Sequence, residues 1–280
     1  MFTGSEPVDV TRTRIFARAS SPDCQVLAYQ MDFTSRQDVA MILPLPVSPG
    51  AGEDALRFLS LEHCPDLFEQ LESGFRGPSA MMSMPEASLR ARLPVHQVGL
   101  FDASFVPHLD DFARLDPRFR LTDDVWLELP DYWDHGFAVF RLRGDGPGVS
   151  GGATSAGRVM AQTVHPMAFE FRRKPSQSLF FPTVHVHDGT VHPLADFHHT
   201  LYAQAPVPAV LPYDLDGHGR PRADRPRPFR GWQQSPRTAR WFAATGRTQG
   251  LIDPDQFCFR LELEGLLDNR DTIVLSEWSS

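Results

Sequence analysis

The sequence predicts an α+β fold dominated by β-structure, with mixed and antiparallel sheets, a few short helices and two sub-domains. Three observations predict it. Apolar residues gather in runs of strand length that end at proline, glycine or polar turns. Helical spacing is confined to short stretches, and one glycine-rich segment divides the chain. A hydrophobic share of 41% over 280 residues supplies a core and excludes a disordered or coiled-coil chain.

Residues 26–33 (VLAYQMDF) and 39–47 (VAMILPLPV) predict two strands joined by a polar turn. Pro44 and Pro46 have no N–H to give to a ladder, so the second strand is expected at a sheet edge or leaving the sheet there. Residues 56–61 alternate as another strand. Pro65 opens a stretch with Leu67, Phe68, Leu71 and Phe75 at helical spacing, which predicts a short amphipathic helix over 65–75. Residues 76–94 show no clean period and read as a connection. A strand at 96–106, helices at 109–115 and 123–133 (interrupted at Pro130) and a strand at 137–142 complete a first sub-domain, 1–143. Residues 144–157 (GDGPGVSGGATSAG) have almost nothing to pack and predict a linker. The second sub-domain, 158–280, reads as antiparallel β. It has strands at 166–172, 179–187, 190–192, 200–204 and 257–263, a helical stretch at 238–244 and an arginine- and proline-rich loop at 205–236.

Several familiar chemistries fail on context. Gly148-Val149-Ser150-Gly151-Gly152 matches a nucleophile-elbow pattern, and 146–151 matches a dinucleotide fingerprint. Both need a strand running into the motif and a helix running out, and glycines flank both sides here. Lys174, between Arg173 and Pro175, cannot complete a P-loop. Asp214-Leu215-Asp216-Gly217 lacks the later carboxylates of a calcium loop and reads as a solvated turn. Cys24, Cys64 and Cys258 are too few and too far apart for a disulfide framework, so reduced thiols are expected. The first residues (MFTGSEP) show neither a basic nor an apolar signal region, and no apolar run approaches the roughly 20 residues of a bilayer span. A cytoplasmic protein with no membrane span is expected.

Five of the eleven histidines lie between 185 and 199. If 184–187 and 190–192 form a hairpin closed by Asp188-Gly189, then His185 faces His192 and shares a face with His187. Three imidazoles so placed form a candidate site for zinc or iron. His198 is a spare ligand, and Asp188, Asp196 and His199 are candidates to orient a ligand or move a proton. The same pattern also describes a solvated sheet face backed by Val184, Val186 and Val191. On that reading no cofactor is expected.

The net charge of −8 disfavours a role in coating nucleic acid or anionic membrane. Locally the sign reverses. Eight arginines against Asp224 between 217 and 247 give +7, leaving −15 on the remainder. Arg220, Arg222, Arg225, Arg227, Arg230 and Trp232 are the candidate partner-binding residues, since guanidinium forks beside an indole grip extended partners. The same arginines could neutralise the chain's own acidic remainder.

Ala40-Met41-Ile42-Leu43-Pro44-Leu45-Pro46, Asp66-Leu67-Phe68-Glu69-Gln70-Leu71, Val98-Gly99, Gly136-Phe137-Ala138-Val139-Phe140 and His165-Pro166-Met167 make the layout similar to a bacterial domain-of-unknown-function family of β-rich, mostly exported proteins. These pieces span about half the chain and are apolar framework. The resemblance implies a β-rich fold and carries over no activity and no catalytic residue. The expected role is a soluble protein-interaction or assembly protein, binding a protein partner or itself. The alternatives are a metal-dependent hydrolase or lyase at the histidines, and a binder of phosphorylated or nucleic-acid ligands at the arginines.

Overall fold

A computed structural model describes residues 1–3, 8–35, 37–48, 50–76, 101–142, 162–174, 178–204 and 231–275. Within them the strands are β1 (Phe2–Thr3), β2 (Asp9–Ser21), β3 (Cys24–Thr34), β4 (Val39–Leu45), β5 (Leu56–Leu59), β6 (Phe101–Val106), β7 (Gly136–Leu142), β8 (Gln162–Thr163), β9 (Met167–Arg172), β10 (Ser178–Phe181), β11 (Leu194–Gln204), β12 (Gln233–Thr238), β13 (Phe257–Asp268) and β14 (Thr272–Leu275). The α-helices are short: α1 (Leu67–Ser73) and α2 (Asp123–Leu127). The fold is thus β-dominated, with few short helices. Among the described residues no helix is long and apolar enough to cross a membrane.

The large sheet runs β12-β13-β11-β2-β3-β9-β5, with β8 also on β3. Its β11–β2 pair is parallel and its other pairs are antiparallel. A second sheet runs β1-β4-β7-β6, and β10 pairs with β14. Strands from both sides of 144–157 therefore share the large sheet, so it crosses the boundary expected there. The linker itself lies outside the described residues.

Period-two alternation explains the layers. On β3, Leu27, Tyr29 and Met31 enter the core between the two sheets, while Val26 and Ala28 point to the other face. On β4, Met41, Leu43 and Leu45 enter that same central core, while Ala40 and Ile42 face outward. Each sheet is apolar on both faces, so each outer face needs a cover. Leu67, Phe68 and Leu71 of α1, with Leu251 and Ile252, cover the large sheet. Phe112, Trp126, Leu129 and Tyr132 cover Phe137 and Val139 of β7.

Several local expectations shift. The Ile42 N–H bonds Met1 O, so even-numbered residues of β4 aim their backbone nitrogens toward β1. Pro44 therefore places its missing donor past the end of β1, where the ladder asks for none, although β4 is otherwise flanked on both sides. The helices expected at 109–115 and 123–133 resolve into 3₁₀ turns at Leu109–Arg114, Pro117–Phe119 and Pro130–Tyr132 around the single turn of α2. Prolines at 117 and 130 take first-turn positions and keep each piece short. The helical stretch expected at 238–244 is a 3₁₀ turn, Ala239–Trp241. β10 ends at Phe181, and 182–193 is not a strand.

Candidate functional site

The hairpin expected over 184–192 does not form, because its backbone groups are engaged elsewhere. Asn269, in the turn between β13 and β14, accepts the His185 N–H at Oδ1 (2.7 Å) and donates from Nδ2 to the carbonyls of His185 and His192 (2.8 Å each). Asp271 accepts the N–H groups of Thr183 and Val184 (2.8 and 3.0 Å) and the Tyr132 hydroxyl (2.6 Å). On its other side the segment bonds the N–H groups of Phe2 and Val8 through the carbonyls of Val186 and His187. Gly189 supplies the positive φ of the turn, and Asp188 accepts the Thr190 N–H and meets His192 Nε2 at 2.9 Å.

The imidazoles are sorted accordingly. His185 and His187, expected to share a face, stack with centroids 4.8 Å apart, but the residue that joins them is His199 and not His192. On β11, Phe197 and His199 point inward while Asp196 and His198 point to solvent and pair at 3.5 Å. His185 lies between the rings of His187 and Phe197, and its Nε2 is 2.9 Å from His199 Nε2. His199 is 4% exposed and its Nδ1 has no hydrogen-bond partner among the described residues. Burial lowers all three: His185 to about 4, His187 to about 3, His199 well below its ordinary value. The imidazoles are therefore neutral near pH 7, the form able to accept a proton or ligate a metal. A cavity of about 460 Å³ beside them is lined by His185, His187, His192 and His198 with Asp188 and Asp196. Among the described residues no three His, Cys, Asp or Glu side chains are arranged around a common point to hold a metal ion.

Arg220, Arg222, Arg225, Arg227 and Arg230 lie outside the described residues. Trp232 is half-buried, its ring 5.8 Å from Phe181.

A second feature lies on the cover of the smaller sheet. Phe112, Trp126 and Phe137 form a ring cluster with centroids 5.0 to 5.3 Å apart. Above it, Trp133 donates from Nε1 to Trp126 O at 3.0 Å, which fixes its ring while leaving the side chain 56% exposed. Leu127 is 67% exposed beside it. Trp133, Leu127, Phe112 and Trp126, with Leu109 and Leu121, line a groove of about 410 Å³ that also carries Asp110, Asp123 and Arg120. Residues 107–135 hold eight acids against three arginines. Asp111, Asp116 and Asp134 pair with Arg114, Arg118 and Lys174. The exposed Asp110, Asp123, Asp124, Glu128 and Asp131 have no ion-pair partner among the described residues. Arg120 spends its guanidinium on the carbonyls of Leu115 and Ala113. The groove's aromatic residues fall in two stretches that read from sequence only as helices, 109–115 and 123–133, so nothing in the pattern gathers them on one surface. The carboxylates between them were the available signal.

No family model matches this chain and no curated protein matches it. Solved structures of baculovirus p35 are similar to it at low identity. The crystal structure of baculovirus p35 matches with a TM-score of 0.47 and 14% identity, over 96% of this chain and 97% of that chain. A mutated p35 after caspase cleavage matches at 0.45 and 12%, over 95% and 99%. The p35 of a complex with caspase-8 matches at 0.43 and 10%, over 95% and 96%.

Proposed function

We propose that this chain works by binding protein through a preformed surface groove. The observation that carries the reading is the pair Leu127 and Trp133, 67% and 56% exposed, seated on a floor of buried rings. Large apolar side chains held exposed in one place favour association, since covering them removes apolar surface from water. Trp133 is fixed by its hydrogen bond to Trp126 O, so binding orders little that is not already ordered. The carboxylates around the groove supply a polar rim, the usual anatomy of an interface.

The test is affinity capture with quantitative mass spectrometry, comparing the wild type with Trp133→Ala and Leu127→Ser. Both side chains are exposed, so the variants are expected to keep the wild-type melting temperature within a few degrees. A partner retained by the wild type and reduced about tenfold or more with both variants supports the reading. Partners captured equally by all three proteins overturn the groove as the interface.

A further inference from the structure

We propose that the groove beneath Trp133 takes an extended peptide bearing arginine and proline, a proposal that rests on the protein-binding reading above and names its ligand class. Charge complementarity and shape together select this ligand. Asp110 and Asp123 line the groove, and Asp124, Glu128 and Asp131 lie in the same covering segment; all five are exposed and without ion-pair partners among the described residues. Arg120 lies among them, but its guanidinium is turned onto two backbone carbonyls of the groove's own wall. With eight acids against three arginines over residues 107–135, the field over this segment is negative, which attracts cationic side chains and repels nucleic acid and anionic membrane.

Shape selects among cationic partners. At about 410 Å³ the groove seats a few residues, too few for the i, i+3, i+4, i+7 face of a docking helix. Its apolar lining joins the rings of Trp133, Trp126 and Phe112 to Leu109, Leu121 and Leu127, and residues 107–135, which form it, contain no strand to pair with an added one. A polyproline II segment suits such a surface. It arrives with little conformational entropy left to lose, lays proline rings on aromatic faces, and projects intervening side chains outward to the rim. Arginine at those positions reaches the carboxylates through forked, charge-assisted hydrogen bonds.

The experiment is fluorescence anisotropy on the full chain with three labelled decapeptides: one alternating arginine and proline, one with glutamate for each arginine, one with alanine for each proline. The first is expected to bind about tenfold or more tighter than either control, with a change in tryptophan emission on binding. Leu127→Ser and Trp133→Ala are each expected to weaken it about tenfold with the melting temperature retained. Asp123→Asn/Asp131→Asn is expected to weaken it and to flatten its dependence on salt. Equal binding of the alanine peptide would reduce the interaction to charge attraction and overturn the proposal. So would equal binding of the glutamate peptide, or no binding of the first. If the peptides fail while affinity capture still finds a partner that depends on Trp133 and Leu127, the ligand class falls and the protein-binding reading stands. If both fail, both fall.

Discussion

His185 has one ring face against His187, the other against Phe197, and its Nε2 on His199. One imidazole donates and the other accepts, so the contact needs at least one ring unprotonated at Nε2 and is lost when both are charged. The charged and titratable groups around the cluster act in both directions. The Met1 amino group and His198 disfavour a charge on His185, while Asp196 and Asp188 favour one on His185 and His187 respectively. Burial outweighs them, so the folded values, about 4 for His185 and about 3 for His187, lie below the ordinary 6.5. A depressed histidine means that the unfolded chain binds the proton more readily. Stability from these groups is full above pH 6.5 and is lost as the pH falls toward 4, on the order of 3 kcal/mol for a group such as His185 once the window is crossed. Asp271 works in the opposite sense. Burial raises it to about 6, so it stabilises as the pH falls through 6 toward 4 and offsets one histidine of three. The melting temperature is therefore expected to fall from pH 7 to pH 4.5. His185→Gln/His199→Gln is expected to flatten that slope, and an unchanged slope in the double variant would place the acid sensitivity elsewhere.

At the scale of elements, side chains of the β13–β14 turn do what a ladder would do for residues 183–193. Asn269→Ala removes two hydrogen bonds from His185 and one from His192. The His185 peptide, half-buried, is left without partners, so the variant is expected to lose about 2–4 kcal/mol of stability. Hydrogen exchange is expected to quicken at the amides of Thr183, Val184 and His185 before those of β11. Uniform quickening would mean that the segment opens only with the whole fold. This element was not legible beforehand, because side-chain pairing of backbone leaves no periodic trace, and Asp188-Gly189 pointed to a hairpin. What was legible is equally specific. β3, β4, β7 and β9 are runs of Val, Leu, Met and Phe buried on both faces, and such runs read as strands without alternation. β2 was missed because its outer half carries Thr11, Arg12, Thr13 and Arg14, which look like a loop until Ile15, Phe16 and Ala17 are seen buried. Of the histidine site, only the shared side of His185 and His187 was legible; their stacking was not, and it arises in an extended segment that is not a strand. His199 was not placed with them, because its approach depends on how β11 crosses the segment.

For the whole molecule, the order of strands in the large sheet matters more than the glycine-rich stretch that invites a division. β11 lies against β2, and β9 lies against β3, so β2 and β3 from the first half stand between strands of the second. A separate 158–280 fragment would hold β11 and β9 with nothing between them. It would expose Phe169, Leu201 and Ala203, which are buried in the central core, and a row of unpaired N–H and C=O groups on each strand. A separate 1–143 fragment would expose Leu27, Tyr29 and Met31 of β3 in the same way. Each half therefore lacks the partner that satisfies its own edges, and loop closure between the halves is a small entropic matter beside that loss. The two fragments expressed alone are expected to aggregate or to show no cooperative thermal transition by circular dichroism. Co-expressed, they are expected to form a soluble 1:1 complex whose melting approaches that of the intact chain. A cooperative melt from 158–280 alone would mean that β9 and β11 can pair without β2 and β3, and that the two-part reading of the sequence describes an autonomous unit after all.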